Sequence, residues 1–159
     1  MRAKVAQEVV KTVCEPVANK RRPANEYDAK FSIPYIVASS LIHGKFGLAE
    51  LEESALRDPV TLALADKVDY EADPASGFPK YYSGEVIVKL KDGRELAYRE
   101  QVNRGAADRP ISNDDIVAKF MDNAMQAVSR ARAEELRDAL LRMEDFERGS
   151  DLASVLAGR

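Results

Sequence analysis

Between Lys30 and Lys45 the chain reads K-F-S-I-P-Y-I-V-A-S-S-L-I-H-G-K, its longest run without a charged side chain. Ser32 can serve as an N-cap, Pro34 falls in the first turn where a missing N–H costs little, and Gly44 sits where helices end in the left-handed conformation. These signals predict a helix from Ser32 to His43. Its apolar residues form two stripes, Ile33, Ile36, Val37 and Leu41 on one and Phe31, Tyr35, Ala38 and Ile42 on the other. A helix apolar around nearly its whole circumference belongs at the centre of a fold. The run is too short to span a bilayer and carries three serines and a histidine, which makes it a core helix and argues against a membrane role.

A chain of 159 residues can build one domain with a real core, or a small domain plus an appendage. Charged residues make up 32% and the net charge is only −3, which gives no electrostatic reason to expect nucleic acid. The one basic cluster, Lys20, Arg21 and Arg22, is short, lacks interleaved aromatics and reads as a solvated loop. Cys14 is the only cysteine and cannot form an internal disulfide, and the first ten residues lack an apolar core of signal-peptide length. A cytoplasmic protein is expected. One cysteine and one histidine, His43, exclude an ordinary single-chain zinc site, although carboxylates could hold a harder ion; no metal or cofactor is expected.

The β-branched stretch Glu8 to Cys14 predicts a strand ended by Pro16, with a partner far along the chain. Asn19 to Asp28 reads as a loop. After Gly44 a short helical turn is expected, then Asp58-Pro59 opens a helix ending near Lys67 with Val60, Ala63, Leu64 and Val68 on its apolar face. Asp73 to Pro79 reads as a loop. Gly84 to Val102 forms a hairpin. A two-residue Asp-Gly loop would set Lys89 against Leu96. A three-residue loop, Lys91 to Gly93, instead pairs Val86 with Tyr98, Val88 with Leu96, Lys89 with Glu95 and Glu85 with Arg99, which matches apolar with apolar and opposite charges with each other; this register is preferred. Ser112 to Asp115 has the spacing of a capping box and opens a helix with Ile116, Val117, Phe120, Met121, Ala124, Met125 and Val128 at helical intervals. A second helical segment spans Ala131 to Met143, and Leu152 to Leu156 is an apolar tail. The fold class expected is α/β of the α+β kind: a small, mainly antiparallel sheet packed on the central helix, over residues 1–111, followed by C-terminal helices over 112–159.

D-A-K-F-S-I-P-Y at Asp28 to Tyr35, the H-G-K-F-G-L that follows, L-R-D-P-V at Leu56 to Val60, V-I-V-K-L-K-D-G-R-E-L in the hairpin, N-R-G at Asn103 to Gly105 and D-I-V-A-K-F at Asp115 to Phe120 occur together and in order. In this the chain resembles the C-terminal part of the MmgE/PrpD family, which includes 2-methylcitrate dehydratase, cis-aconitate decarboxylase and iminodisuccinate epimerase. The resemblance implies the smaller α/β lid of such enzymes, lacking its first strand and helix, followed by helices that return to a larger helical domain. It implies cofactor-free lyase or isomerase chemistry on a polycarboxylate. It also implies that the Asp, histidines and lysines of the family's pocket have no counterpart here.

What the resemblance carries over is a pocket tyrosine, at Tyr35, with Lys30 and Ser32 one turn away as candidate substrate-binding residues. Cations and hydroxyl donors suit a substrate with several carboxylates, and a protonated tyrosine suits a donor role better than a base role. On its residues alone, Tyr35 is a core tyrosine with a satisfied hydroxyl, Lys30 a solvated helix-start residue, His43 a C-terminal capping cation, Cys14 a buried small apolar residue, and Arg104 and Gly105 shape a loop. Two functions follow. Either the chain is a portion of such an enzyme, inactive alone and completed by a separate helical-domain chain, or it is a non-catalytic homodimeric module. The apolar stripe over Ser112 to Met143 is the expected dimer interface.

Overall fold

The computed structural model describes residues 1–158. The chain divides into two compact units, Met1–Arg109 and a second beginning at Pro110.

The first unit is built on a four-stranded mixed sheet. Its strands are β1 (Arg2–Val5), β2 (Asp69–Ala72), β3 (Gly84–Lys89) and β4 (Glu95–Glu100), in the spatial order β2-β1-β3-β4. β1 runs parallel to β2 and antiparallel to β3, and β3 and β4 form the hairpin. Pairing alternates the two faces. Ala3, Tyr70, Val86 and Tyr98 line up across one face, while Lys4, Glu71, Glu85 and Arg99 line up across the other. The first face takes the helices, and the second carries an ionic lattice. Lys4 Nζ lies 3.0 Å from Glu85 and 3.6 Å from Glu71, and Arg99 bridges Glu85 at 3.2 Å and the buried carboxylate of Asp73 at 2.5 Å.

The helical layer follows β1. A 3₁₀ turn, Gln7–Val9, leads into α1 (Val10–Val13), then come α2 (Val17–Arg21), α3 (Glu26–Lys30), α4 (Ile33–His43), a 3₁₀ turn Ala49–Leu51, α5 (Glu53–Leu56) and α6 (Pro59–Ala65). α4 packs on α6, α2 and α3. Its ends match the sequence signals: the Ser32 hydroxyl accepts from the Tyr35 N–H, and Gly44 takes φ +71°. α6 is capped in the same way, with the Asp58 carboxylate accepting from Thr61 N–H at 2.8 Å.

Several expectations are corrected. Glu8 to Cys14 is helical, because Val10 and Cys14 are spaced to meet Val5 in one core while Val9 and Val13 pack beside them, and this burial outweighs the β-branched composition. The strand lies earlier, at Arg2–Val5, and β2 was not foreseen. Asn19 to Asp28 is largely helical, holding the end of α2 and, capped by Asn25, the start of α3. The buried face of α6 is Thr61 and Ala65, continued by Val68, with Val60 exposed. α4 is buried through Pro34, Tyr35, Ala38 and Ser39, but Leu41 and Ile42 at its C-terminal end are exposed. Its apolar circumference is therefore only partly covered.

The hairpin has the preferred register, with Val86 opposite Tyr98, Val88 opposite Leu96, Lys89 opposite Glu95 and Glu85 opposite Arg99. Leu90 N–H donates to the Arg94 carbonyl at 2.8 Å, which leaves Lys91 to Gly93 as the loop, and Gly93 takes φ +88°. A left-handed glycine at that position lets a three-residue connection follow the twist of the strands.

The second unit contains α7 (Asn113–Ala124), α8 (Arg130–Leu141), a 3₁₀ turn Met143–Asp145 and α9 (Gly149–Ala157). Ser112 caps α7, accepting from the Asp115 N–H and donating to the Asp115 carboxylate at 2.7 Å. α7 packs on α8, and Met121, Ala133 and Ala139 are buried, whereas Ile116, Leu140, Leu141 and Met143 are exposed. Arg132 donates to the Val155 carbonyl near the C-terminus of α9.

Candidate functional site

α4 carries the candidate residues, and the capping of its first turn decides where they point. Ser32 is fully buried. Its hydroxyl donates to the Lys20 carbonyl and accepts from Tyr35 N–H at 3.1 Å, so both roles of the hydroxyl serve the helix start. Tyr35 lies three residues on and is also fully buried, among Ala29, Leu51 and Leu56, with the Phe46 ring edge-on at 6.1 Å. Its hydroxyl donates to the Glu50 carbonyl at 2.8 Å. Burial pushes the phenol's pKa up, and the charges of Asp58 and Glu50 add to the shift, so Tyr35 holds its proton at neutral pH. Lys30, the last residue of α3, points to solvent and pairs with Glu26 at 3.6 Å.

Ser32 and Tyr35 are thus joined through a helix cap, and Lys30 stands apart at the surface. Neither of the two clefts beside α3 and α4 is lined by any of the three. An apolar cleft of about 230 Å³ opens between the sheet and α4, lined by Ala3, Val5, Ile33, Val37, Val86 and Tyr98, with Lys4, Glu85 and Glu100 at its margin. This is below the roughly 300–1,000 Å³ of ligand pockets, and its floor offers no converging polar groups. A smaller depression of about 160 Å³ sets Lys20 and Asp28 beside the tilted ring pair Tyr27 and Phe31. Among the described residues no three His, Cys, Asp or Glu side chains group to hold a metal ion.

The remaining candidates fill structural places. Cys14 is fully buried, and burial, helped by the neighbouring Glu15 charge, pushes its thiol up to about 11. Arg21 is tied to the start of β2, donating to the Val68 carbonyl at 3.1 Å and to Asp69 at 2.8 Å, and Arg22 pairs with Asp66 at 2.6 Å. The expected solvated loop is a clamp between α2 and β2. Gly105, at φ +91°, donates its N–H to the Arg109 carbonyl at 2.9 Å and shapes the turn that brings Arg109 to Glu100. His43 is exposed at the end of α4.

Sequence reasoning missed Glu50 and Asp73. Glu50 is buried: its carbonyl holds Tyr35 and its carboxylate accepts from the Gly47 N–H at 2.7 Å. Asp73 is buried under Arg99. A carboxylate in a polar loop gives no signal of burial until its partner is known, and both partners are distant in sequence or backbone atoms.

Residues 3–145 match the MmgE/PrpD C-terminal domain. Cis-aconitate decarboxylase of Homo sapiens is 30% identical over 142 residues, which is 88% of this chain and 29% of that protein. Cis-aconitate decarboxylase of Mus musculus is 29% identical over the same shares. The cis-aconitate decarboxylase-like protein oryM of Aspergillus oryzae is 24% identical over 89% of this chain and 29% of its own length. The chain therefore spans under a third of the length of these relatives. No helix among the described residues is long and apolar enough to cross a membrane. With the matched region covering most of the chain and reaching into both of its units, the chain belongs to the MmgE/PrpD family, through its C-terminal domain.

Proposed function

We propose that this chain forms the lid and returning helices of an MmgE/PrpD-type lyase or isomerase acting on a polycarboxylate such as cis-aconitate or 2-methylcitrate, and that it is inactive alone. The observation that carries the reading is the match to cis-aconitate decarboxylases over 88% of this chain but 29% of theirs. The geometry supports the second half. Tyr35 and Ser32 have their hydroxyls engaged in the fold, and the cleft between the sheet and α4 is lined mainly by apolar side chains and holds no histidine. General acid or base catalysis contributes about 10²–10⁴ in rate, and in this proposal its groups come from the helical domain. The lone buried thiol of Cys14 fits a reducing, cytoplasmic setting.

Decarboxylation, dehydration and epimerisation share one step, charge build-up next to a carboxylate. A lid contributes by excluding water and by placing hydroxyl donors where that charge develops. In this proposal Tyr35 is the donor, released from Glu50 when the loop after Gly44 shifts against the helical domain, Lys30 exchanges Glu26 for a substrate carboxylate, and Ser32 stays the buried cap that orients Tyr35.

The test is CO₂ release from cis-aconitate by the purified chain, alone and mixed with the helical domain of a related decarboxylase. No turnover alone and Tyr35-dependent turnover in the mixture are expected. Robust turnover by the chain alone, abolished by Tyr35→Phe, would overturn the proposal.

A second reading, a non-catalytic homodimeric module, is favoured by one observation: the Tyr35 hydroxyl is already satisfied inside the core. It predicts that the mixture stays inactive.

A further inference from the structure

Two side chains of opposite charge share one depression without pairing across it. The hollow of about 160 Å³ is walled by Thr12 of α1, Lys20 of α2, Tyr27 and Asp28 of α3, and Phe31 just after α3. Lys20 and Asp28 are both half-buried. Among the described residues neither charged group has an ion pair or a hydrogen bond, and the same holds for the hydroxyls of Thr12 and Tyr27. The neighbouring cations are committed elsewhere, Arg21 to Asp69, Arg22 to Asp66 and Lys30 to Glu26.

The backbone keeps these groups in place. The Lys20 carbonyl accepts from the buried Ser32 hydroxyl, and the Asp28 N–H donates to the Asn25 side chain at 2.9 Å. Tyr27 and Phe31, four residues apart, hold their rings 5.1 Å apart. Lys20 lies in the last turn of α2 and Asp28 in the first turn of α3, where a helix end stabilises each charge by only about 0.3–1 kcal/mol and leaves it open to a ligand. Groups ordered in advance cost a ligand little to engage.

A ligand of one charge does not suit this hollow. An anion drawn to Lys20 meets Asp28, a cation drawn to Asp28 meets Lys20, and a neutral apolar molecule desolvates both without compensation. A zwitterion brings an opposite charge to each. The two rings add an apolar wall and, for an ammonium group, a cation–π surface. The Thr12 hydroxyl supplies a second donor for a carboxylate. Size is set by the volume: about 160 Å³ is the space of roughly five waters, far short of a drug-sized ligand and close to one small amino acid.

We propose that the depression between α1, α2 and α3 binds a free α-amino acid with an apolar side chain, its carboxylate on Lys20 and Thr12, its ammonium on Asp28 and its side chain against Tyr27 and Phe31. The site is separate from Tyr35 and does not rest on the lyase or isomerase reading.

The test is titration of the full, isotopically labelled chain with leucine, N-acetylleucine and leucinamide, followed by amide NMR shifts. Saturable shifts at Thr12, Lys20, Asp28 and Phe31 are expected with leucine, with a Kd of about 0.1–10 mM for so small and open a site. Each capped ligand lacks one charge and should bind about tenfold more weakly. Asp28→Asn should weaken leucine by a similar factor without weakening N-acetylleucine, and Lys20→Gln should do so without weakening leucinamide; a change of fold would weaken all three ligands alike. Three results would each overturn the proposal: no saturable shift up to the solubility limit of leucine, either capped ligand binding as tightly as leucine, or leucine binding unchanged by both substitutions.

Discussion

The Tyr35 hydroxyl and the Glu50 carbonyl, 2.8 Å apart, join α4 to the 3₁₀ turn that follows its C-terminal loop, inside a core neither group could share with water. Removing the hydroxyl leaves a buried carbonyl without its donor. Tyr35→Phe should therefore destabilise the chain by about 1–3 kcal/mol in urea or thermal unfolding. An unchanged midpoint would mean that the bond does not persist in solution.

Arg99 compensates the buried Asp73 carboxylate and holds Glu85 beside it. Arg99→Leu strands that carboxylate, and a loss of about 3 kcal/mol is expected. The double substitution Arg99→Leu with Asp73→Asn should recover part of this, measured as a double-mutant cycle.

The Asp58 carboxylate accepts from the Thr61 hydroxyl at 2.6 Å and from its N–H, and these bonds hold its pKa below the usual aspartate value. A carboxylate whose folded pKa is depressed contributes stability above its unfolded pKa and loses that contribution as pH falls through the folded one. Asp58→Ala should lower the thermal midpoint at pH 7. The gap to the parent should narrow as pH falls below about 4.

Cys14 is fully buried with its thiol pKa near 11, so at pH 8 only about one thiol in a thousand is ionised. Labelling by a water-soluble thiol reagent should be slow in the folded chain and should follow unfolding as urea is added. Rapid labelling without denaturant would show that α1 opens locally.

Gly93 closes the hairpin at φ +88°, with open space where a Cβ would stand. Gly93→Ala meets no clash, and its cost is conformational alone, about 1–2 kcal/mol. The same substitution at Gly44, also left-handed and unobstructed, should cost a similar amount. The two together test whether chain ends and turns, rather than contacts, set these positions.

Local chemistry was legible at several places where cause and effect lie within a few residues, though not at Asn25, which caps α3 from a stretch that reads as loop. Ser32 and Gly44 bound α4, Asp58 and Ser112 cap their helices, and the charge pattern around Lys91 to Gly93 selects the hairpin register, because each signal acts on backbone groups three or four positions away. The family was legible for a related reason: its recurring stretches fall on these same turns and caps. The candidate site was less so. The resemblance pointed to Tyr35, yet the acceptor that engages its hydroxyl is a backbone carbonyl fifteen positions on, and no side-chain pattern announces a carbonyl.

The sequence by itself determined where α4 starts and stops, where α6 and α7 start, how the hairpin pairs and which family the chain resembles. Tertiary structure decided what Glu8 to Cys14 becomes and how much of α4 is covered. Val10 and Cys14 can meet Val5 only if that stretch is helical, and the burial gained there exceeds the small β preference of its valines and threonine. The four-residue strand Arg2–Val5 has little propensity of its own. It exists because β2 and β3, far later in the chain, supply hydrogen-bond partners on both sides, which no local window of sequence can show.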